Sequence, residues 1–216
     1  MTHSQANAAA AGHVPPHADA HGHGGHDHHL RAQESIKKLG FWIFLVTDCV
    51  LFATIFATFA VLRLHTAGGP EGKELFEIPL FVAETFILLT SSYTSGLAVL
   101  AQHKKKVTQL IGWLVVTAVL GLAFLGLEVK EFMTLVHEGV TISTSAYWTA
   151  FFTLVGTHGL HVSLGIIWMT AIMIQVGSRG LTPVTERKLF NVTLYWHFLD
   201  VIWIFLFTIV YLMGVM

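Results

Sequence analysis

The chain has 216 residues, of which 54% are hydrophobic and only 12% are charged. A typical soluble domain has about 25% charged residues, so this composition and a mean hydropathy of +0.65 indicate a polytopic membrane protein. The formal net charge of -1 argues against a nucleic-acid partner, because nucleic acids are bound by basic surfaces. The single cysteine, Cys49, can form neither an internal disulfide nor a thiolate metal cluster.

The N-terminal segment differs in composition from the rest of the chain. Residues 1–30 are rich in Ala, Gly and His and contain few large apolar side chains. Such a segment cannot bury enough surface to offset its chain entropy, so we expect residues 1–38 to form a disordered, His-rich tail. Its histidines are irregularly spaced and lack a carboxylate or thiolate partner, which favours a solvated tail with incidental metal affinity over a defined metal site.

Five apolar segments follow the tail, and each is long enough to cross a bilayer as a helix. The sequence therefore predicts an all-α membrane bundle over residues 39–216, with transmembrane helices at about 39–64, 79–102, 110–127, 147–176 and 190–215. The third segment is expected to end at Glu128-Val129-Lys130-Glu131, followed by a polar loop to about Ser145. No internal repeat is found, which argues against an inverted-repeat transporter.

Basic residues are concentrated on one side of the predicted bundle. That side receives the N-terminal tail with Lys37 and Lys38, the loop 104–106 and the loop 179–188, whereas the other two loops carry mainly glutamates. Loops rich in Lys and Arg stay in the cytoplasm, so we expect a cytoplasmic N-terminus and a C-terminus on the opposite side of the membrane.

The last apolar segment contains an ionisable pair. His197 and Asp200 are one helical turn apart and therefore lie on one face of the helix. An unpaired charge within the hydrocarbon core costs several kcal/mol, about 3 on insertion scales, so this face is expected to contact protein or trapped water. The other four helices must therefore cover it.

Other spans also carry ionisable residues, and the complete set invites three interpretations. They could ligate haem through histidines on two helices, form a proton relay, or fix the packing of the bundle through buried contacts. Two histidines spaced as in His158-x-x-His161 lie on one helix face, but no complete set of metal ligands accompanies them, which favours the packing role. The residues in question are Asp48, Glu84, Glu128, Glu131, His158, His161, His197 and Asp200.

Small residues in two spans predict close approach of helices. The glycines concerned are Gly112, Gly121 and Gly126 in the third span and Gly156, Gly159 and Gly165 in the fourth. A crowded face beside His158 and His161 favours tight helix contact over a roomy cofactor pocket.

Two motifs contain the histidines of the last two spans. They are Gly156-Thr157-His158-Gly159-Leu160-His161-Val162 and the segment from Tyr195-Trp196-His197 to Val201-Ile202-Trp203. Both resemble subunit III of the haem–copper terminal oxidases. The paired glutamates of Glu128-Val129-Lys130-Glu131 and the segments Gly40–Ile43 and Thr47-Asp48 extend the resemblance from about residue 40 to the end. Five spans and the His-rich tail are most similar to the bo-type ubiquinol oxidases of bacterial inner membranes. Many cytochrome c oxidases have a glutamate in place of Asp48.

The resemblance implies a non-catalytic subunit of a proton-pumping complex that oxidises ubiquinol and reduces oxygen to water. Haem and copper would reside in subunit I, and this chain would bind phospholipid, contact oxidase subunits I, II and IV, and carry no redox centre itself. Its polar residues would support the bundle or proton uptake. Two alternatives remain at this stage: a subunit III-like partner of a nitric oxide reductase, and an independent haem-binding membrane cytochrome.

Overall fold

The computed structural model describes residues 22–63 and 78–212, with side chains described for 36–63 and 79–210. Every regular element in this part of the chain is helical. The helices are α1 (Gly22–Leu62), α2 (Ile78–His103), α3 (Val107–His137), α4 (Ala146–Arg179) and α5 (Pro183–Leu206), and α5 continues as a π-helical segment, Phe207–Leu212. Each contains a segment long and apolar enough to cross a membrane, so the predicted class and the five predicted helices are confirmed.

Four helices form the core of the unit that spans Phe44–Met216. Helix α2 packs against α3 and α5, and α4 packs against the same two helices, so that α2–α5 close into a ring. The part of α1 within this unit contacts α4 through large side chains: Phe59 packs on Tyr147, and Phe52 packs on His161. The first unit, up to Ile43, contains the start of α1, where the described side chains are mostly exposed.

Helix α3 is longer than the sequence predicted. It continues ten residues past the expected end at Leu127, to His137, so the loop before α4 is correspondingly short. The buried residues of α3 recur every three or four positions from Leu110 through Phe124, Glu128 and Glu131 to Leu135. The two glutamates therefore occupy the buried stripe of a continuing helix instead of ending it.

Helix α5 begins seven residues before the predicted start at residue 190. Thr182 caps its N-terminus: the Thr182 hydroxyl accepts a hydrogen bond from the Thr185 amide, and the Thr185 hydroxyl accepts one from the Thr182 amide. Pro183 occupies the first helical position, where its missing N–H costs nothing. Local capping thus determines where this helix starts.

The predicted tail also differs where the structure describes it. Disorder was expected through residue 38, whereas α1 begins at Gly22. Good helix formers such as Leu30, Ala32 and Gln33 precede the apolar segment and allow the helix to extend towards the N-terminus. Residues 1–21, with the first part of the His-rich stretch, lie outside the described residues, as do the side chains of the remaining tail histidines.

Candidate functional site: polar groups buried between the helices

The eight ionisable residues predicted from the sequence do not form one site. Six of them are buried, while His161 and His197 are partly exposed. They lie at four separate contacts between helices. In the part of the chain that the structure describes, no group of three or more His, Cys, Asp or Glu side chains is arranged to hold a metal ion.

One polar contact joins α1 to α4. The Asp48 carboxylate lies 3.9 Å from His161 Nε2, and the edge of Phe52 packs against the imidazole ring. His161 Nδ1 donates a hydrogen bond to the Thr157 carbonyl at 2.7 Å, because a carbonyl can only accept. This bond fixes the ring orientation so that Nε2 faces Asp48.

Three glutamates lie together between α2 and α3. Glu84, Glu128 and Glu131 are 0%, 3% and 7% exposed, and Glu84 is close enough to repel the other two electrostatically. Within the described residues, none of their carboxylate oxygens has a hydrogen-bond partner. Such unpaired acidic groups within a membrane span are costly and are therefore functional candidates by default.

Two neighbours define the surroundings of this glutamate cluster. A Cβ atom on Gly159 of α4 would lie 2.6 Å from the Glu128 carboxylate, so only glycine leaves room for this side chain. On the other side, Lys130, Thr134 and Glu138 help to line a cavity of about 110 Å³ beside Glu131. The cluster is thus closed towards α4 and bordered by polar groups near the end of α3.

His158 lies at the contact between α4 and α5. Its side chain is fully buried, and Nε2 donates a hydrogen bond to the Leu199 carbonyl at 3.3 Å. The rings of Phe124 and Trp203 pack around the imidazole at centroid distances of 5.8 and 5.2 Å. Because His158 and His161 contact different helices, the pair does not converge on a single point.

The contact between α2 and α5 is held by side-chain hydrogen bonds. Trp196 Nε1 donates to the Ser91 hydroxyl at 3.0 Å, and Trp203 Nε1 donates to the Thr85 hydroxyl at 3.2 Å. Near the other end of this contact, the Gln102 side chain donates to the Glu186 carbonyl. Residue numbers rise along α2 as they fall along α5, so the two helices are antiparallel.

The predicted pair His197 and Asp200 lies at this same contact between α2 and α5. The Ser92 hydroxyl and His197 Nδ1 are 2.7 Å apart, and the Asp200 carboxylate lies 3.9 Å from the same nitrogen. Asp200 is buried, as predicted, but the His197 side chain remains 40% exposed. The bundle therefore covers the acid and leaves part of the imidazole at its surface.

Sequence reasoning missed the hydroxyl groups of α2 that make these contacts. Thr85, Ser91 and Ser92 bind α5, and Thr94 pairs with Thr117 of α3 at 2.8 Å. The dense run of hydroxyl residues from Thr90 to Ser95 within an apolar span was the available signal. Such residues commonly bond across helices in membranes.

Comparison with known proteins places the chain in a family. The family model described as cytochrome c oxidase subunit III matches residues 18–215. The chain is 54% identical over 198 residues to the cytochrome bo(3) ubiquinol oxidase subunit 3 of Pseudomonas aeruginosa, which covers 91% of this chain and 94% of the relative. It is also 54% identical over 179 residues to the quinol oxidase subunit 3 of Bacillus subtilis, covering 83% of this chain and 88% of the relative.

The family-model match extends across all five helices and all four polar contacts, and together with the two relatives it confirms the resemblance inferred from the motifs. The chain belongs to the cytochrome c oxidase subunit III family, the subunit III of the haem–copper oxidases.

Proposed function

We propose that this chain is subunit III of a proton-pumping quinol:oxygen oxidoreductase, an integral subunit that carries no redox centre itself. The observation that carries this proposal is the identity of 54%, over nearly the full length, with a relative named as subunit 3 of a ubiquinol oxidase. Electron transfer from ubiquinol to oxygen would take place at the haem and copper of subunit I. The chain would contact subunits I, II and IV in a bacterial inner membrane.

The side-chain contacts support a structural contribution of this subunit. His158, His161 and His197 each bond or approach a group on another helix, so each holds two helices together. Buried polar contacts of this kind specify how membrane helices pack. The bundle would thereby present a stable face to subunit I, with Asp48, Asp200 and the three glutamates completing its polar interior.

Phospholipid is the proposed non-protein ligand. A cavity of about 230 Å³ between α1 and α4 is lined by Ile55, Leu62 and Ala150 together with four threonines. Such an apolar recess on a membrane-facing surface suits an acyl chain. Lipid analysis of the purified complex before and after substitution of Ala150 by Phe tests this assignment, since loss of one bound phospholipid per complex is the expected result.

Purification through this chain in mild detergent tests the proposed function. A subunit containing haem and copper should co-purify, and the preparation should oxidise ubiquinol with consumption of oxygen. The chain expressed alone should give no Soret band. A stoichiometric haem spectrum from the chain alone would identify an independent cytochrome, and a partner that reduces nitric oxide without quinol oxidase activity would identify the other alternative.

A further inference from the structure

His197 is a polar group at the surface of the bundle and at the middle of its depth. It lies halfway along the 28-residue segment Pro183–Val210, and its partner Ser92 lies halfway along the 25-residue segment Pro79–His103. The His197 side chain is 40% exposed there. An imidazole facing acyl chains at this depth would leave a hydrogen-bonding group without a partner, which costs several kcal/mol, about 4 or more in a hydrocarbon.

The two nitrogens of the His197 ring differ in their surroundings. Nδ1 lies 2.7 Å from the Ser92 hydroxyl and 3.9 Å from the Asp200 carboxylate, so this nitrogen has partners within the bundle. No described residue hydrogen-bonds Nε2. Each nitrogen of an imidazole either donates or accepts a hydrogen bond, so Nε2 needs a polar partner from outside the described residues.

The surface around the His197 imidazole is shaped for a helix. We name the outer face of the α2–α5 contact, with Ser92 and Gly96 of α2 and His197 and Val201 of α5, the outer seam. Ser92 and Gly96 are one helical turn apart, and no side chain lies within 4 Å of a Cβ built on Gly96. Small residues at this spacing allow a neighbouring helix to approach closely.

An apolar groove continues the outer seam towards the end of α5. It has a volume of about 200 Å³ and is lined by Val82, Thr85, Phe86, Leu89 and Phe207. The groove would accept a large apolar side chain, whereas His197 Nε2 requires a polar partner. A lipid acyl chain fills the first requirement but not the second.

We propose that the outer seam docks a transmembrane helix of another oxidase subunit, and that a polar side chain of this helix hydrogen-bonds His197 Nε2 at mid-membrane depth. A hydroxyl or a carboxamide fits this role, because each can both donate and accept. The inference rests on the proposed function, because it takes the partner to be a second subunit of the same complex.

Photo-crosslinking in the assembled complex tests the location of the surface. Val201 lies one turn beyond His197 and is 49% exposed, and Ile167 of α4 is 65% exposed on another side of the bundle. With p-benzoylphenylalanine at each position in turn, position 201 should crosslink to another oxidase subunit and position 167 should not. Adducts to lipid alone, to a second copy of this chain, or equally from both positions overturn the proposal.

Substitutions of His197 test its chemistry. His197→Leu removes the hydrogen-bonding group, whereas His197→Gln places an amide, which can donate or accept, near the same point. His197→Leu should increase dissociation of this chain from the complex by about threefold or more, and His197→Gln should recover most of the loss. Equal retention of both variants and the wild type would show that the imidazole contributes nothing to docking.

Two exposed glycines provide a matched steric test. Gly96 of α2 and Gly126 of α3 are both free of neighbours within 4 Å of a built Cβ atom. Gly96→Leu should release this chain from the complex, whereas Gly126→Leu should not, and the opposite order would overturn the proposal. If no haem-containing partner co-purifies with the wild-type chain, the proposed function fails; if one does and the outer seam tests fail, only this inference is wrong.

Discussion

Trp196 of α5 is buried among helices α2–α5, and its indole group contacts the other three helices. Its Nε1 donates to Ser91 of α2, one edge lies against Gly121 of α3, and a face lies near Gly165 of α4. Of the six glycines predicted to permit close approach, Gly121, Gly159 and Gly165 do so. Gly112 and Gly126 have no neighbour within 4 Å of a built Cβ, and Gly156 has only Phe132 at 3.8 Å. A glycine therefore permits close packing only where a large side chain from another helix occupies the space that a Cβ atom would fill.

We expect Gly121→Ala to destabilise the subunit. The added Cβ would lie 2.6 Å from Trp196 Cη2, and overpacking of a buried ring costs on the order of 1–3 kcal/mol. Gly126→Ala in the same helix is the control, since its Cβ meets no atom within 4 Å and alanine favours the helix. The measurement is the temperature at which half of the purified complex dissociates. Equal temperatures for the two variants would contradict the expectation, and Trp196→Phe should partly rescue Gly121→Ala.

We expect Asp200→Leu to reduce the amount of assembled oxidase more than the turnover per haem. The leucine would place an apolar side chain beside Ser92 and His197, where a buried carboxylate now lies 3.9 Å from the imidazole. Loss of a buried polar partner costs about 1–3 kcal/mol, enough to reduce assembly several-fold. Haem content of membranes and oxygen consumption per haem measure the two quantities separately. Normal assembly with lost turnover would instead indicate that Asp200 takes part in proton transfer.

Helix α3 shows how one element combines packing with buried acids. Its inner face follows a regular spacing in which Glu128 and Glu131 occupy positions between Phe124 and Leu135. The same spacing that would bury leucine in a soluble bundle buries carboxyl groups here. The regular helical repeat of α3 therefore places Glu128 and Glu131 beside Glu84 of α2, and no irregularity of the backbone is needed.

Glu131→Gln separates the two roles considered for the glutamate cluster. The amide has nearly the same shape as the carboxyl group and is always neutral, so we expect assembly and turnover to stay within about 30% of the wild type if the cluster is structural. Haem content and oxygen consumption measure these properties, and Glu138→Gln, at an exposed position nearby, is the control. Normal assembly with strongly reduced turnover would assign the cluster to proton uptake.

The N-terminus of α5 depends on its capping box. Thr182→Ala removes the hydroxyl that accepts from the Thr185 amide and should cost about 0.5–2 kcal/mol. Lys106→Ala is the matched control, because Lys106 precedes α3 without a side-chain cap. The temperature at which half of the complex dissociates should fall by a few degrees for Thr182→Ala and stay unchanged for Lys106→Ala. The same loss in both variants would show that capping is not the cause.

At the scale of the whole molecule, the antiparallel contact of α2 with α5 closes the ring and leaves the outer seam at the surface. Asp200 is covered on this contact, while His197 is not. The subunit thus has a polar interior of its own, and the His197 imidazole is a partly exposed polar group at its surface. An isolated chain would leave that group facing lipid, which is why assembly with another subunit is expected to matter for its stability.

The distribution of basic loops predicts the orientation of the whole bundle. We expect alkaline phosphatase fused after Met216 to be active and a green fluorescent protein fused there to be dark, because the C-terminus should face away from the cytoplasm. Fusions in the loop at Lys105 should give the opposite result and serve as the control. A fluorescent C-terminal fusion would show that the basic loops do not determine the topology.

The sequence by itself determined the class, the five helices and the family. A run of about 20 apolar residues prefers lipid to water whatever the rest of the chain does, so each membrane helix can be predicted from its own segment. The motifs around His158 and His197 were sufficient for the resemblance. It also identified the eight ionisable residues, because an ionisable residue within an apolar segment can be recognised from the sequence alone.

Only the tertiary structure decided how these residues are distributed. His158 and His161 are neighbours on one helix, but His158 bonds to α5 whereas His161 lies 3.9 Å from Asp48 of α1. The partners of Trp196 and Trp203 lie more than a hundred residues earlier, on α2. The extent of α3 likewise depended on burial, since Glu128 and Glu131 continue a helix when other helices cover them. The physical reason is that the free energy of a polar side chain in a membrane depends on the group opposite it, and that group is chosen by the packing of the helices.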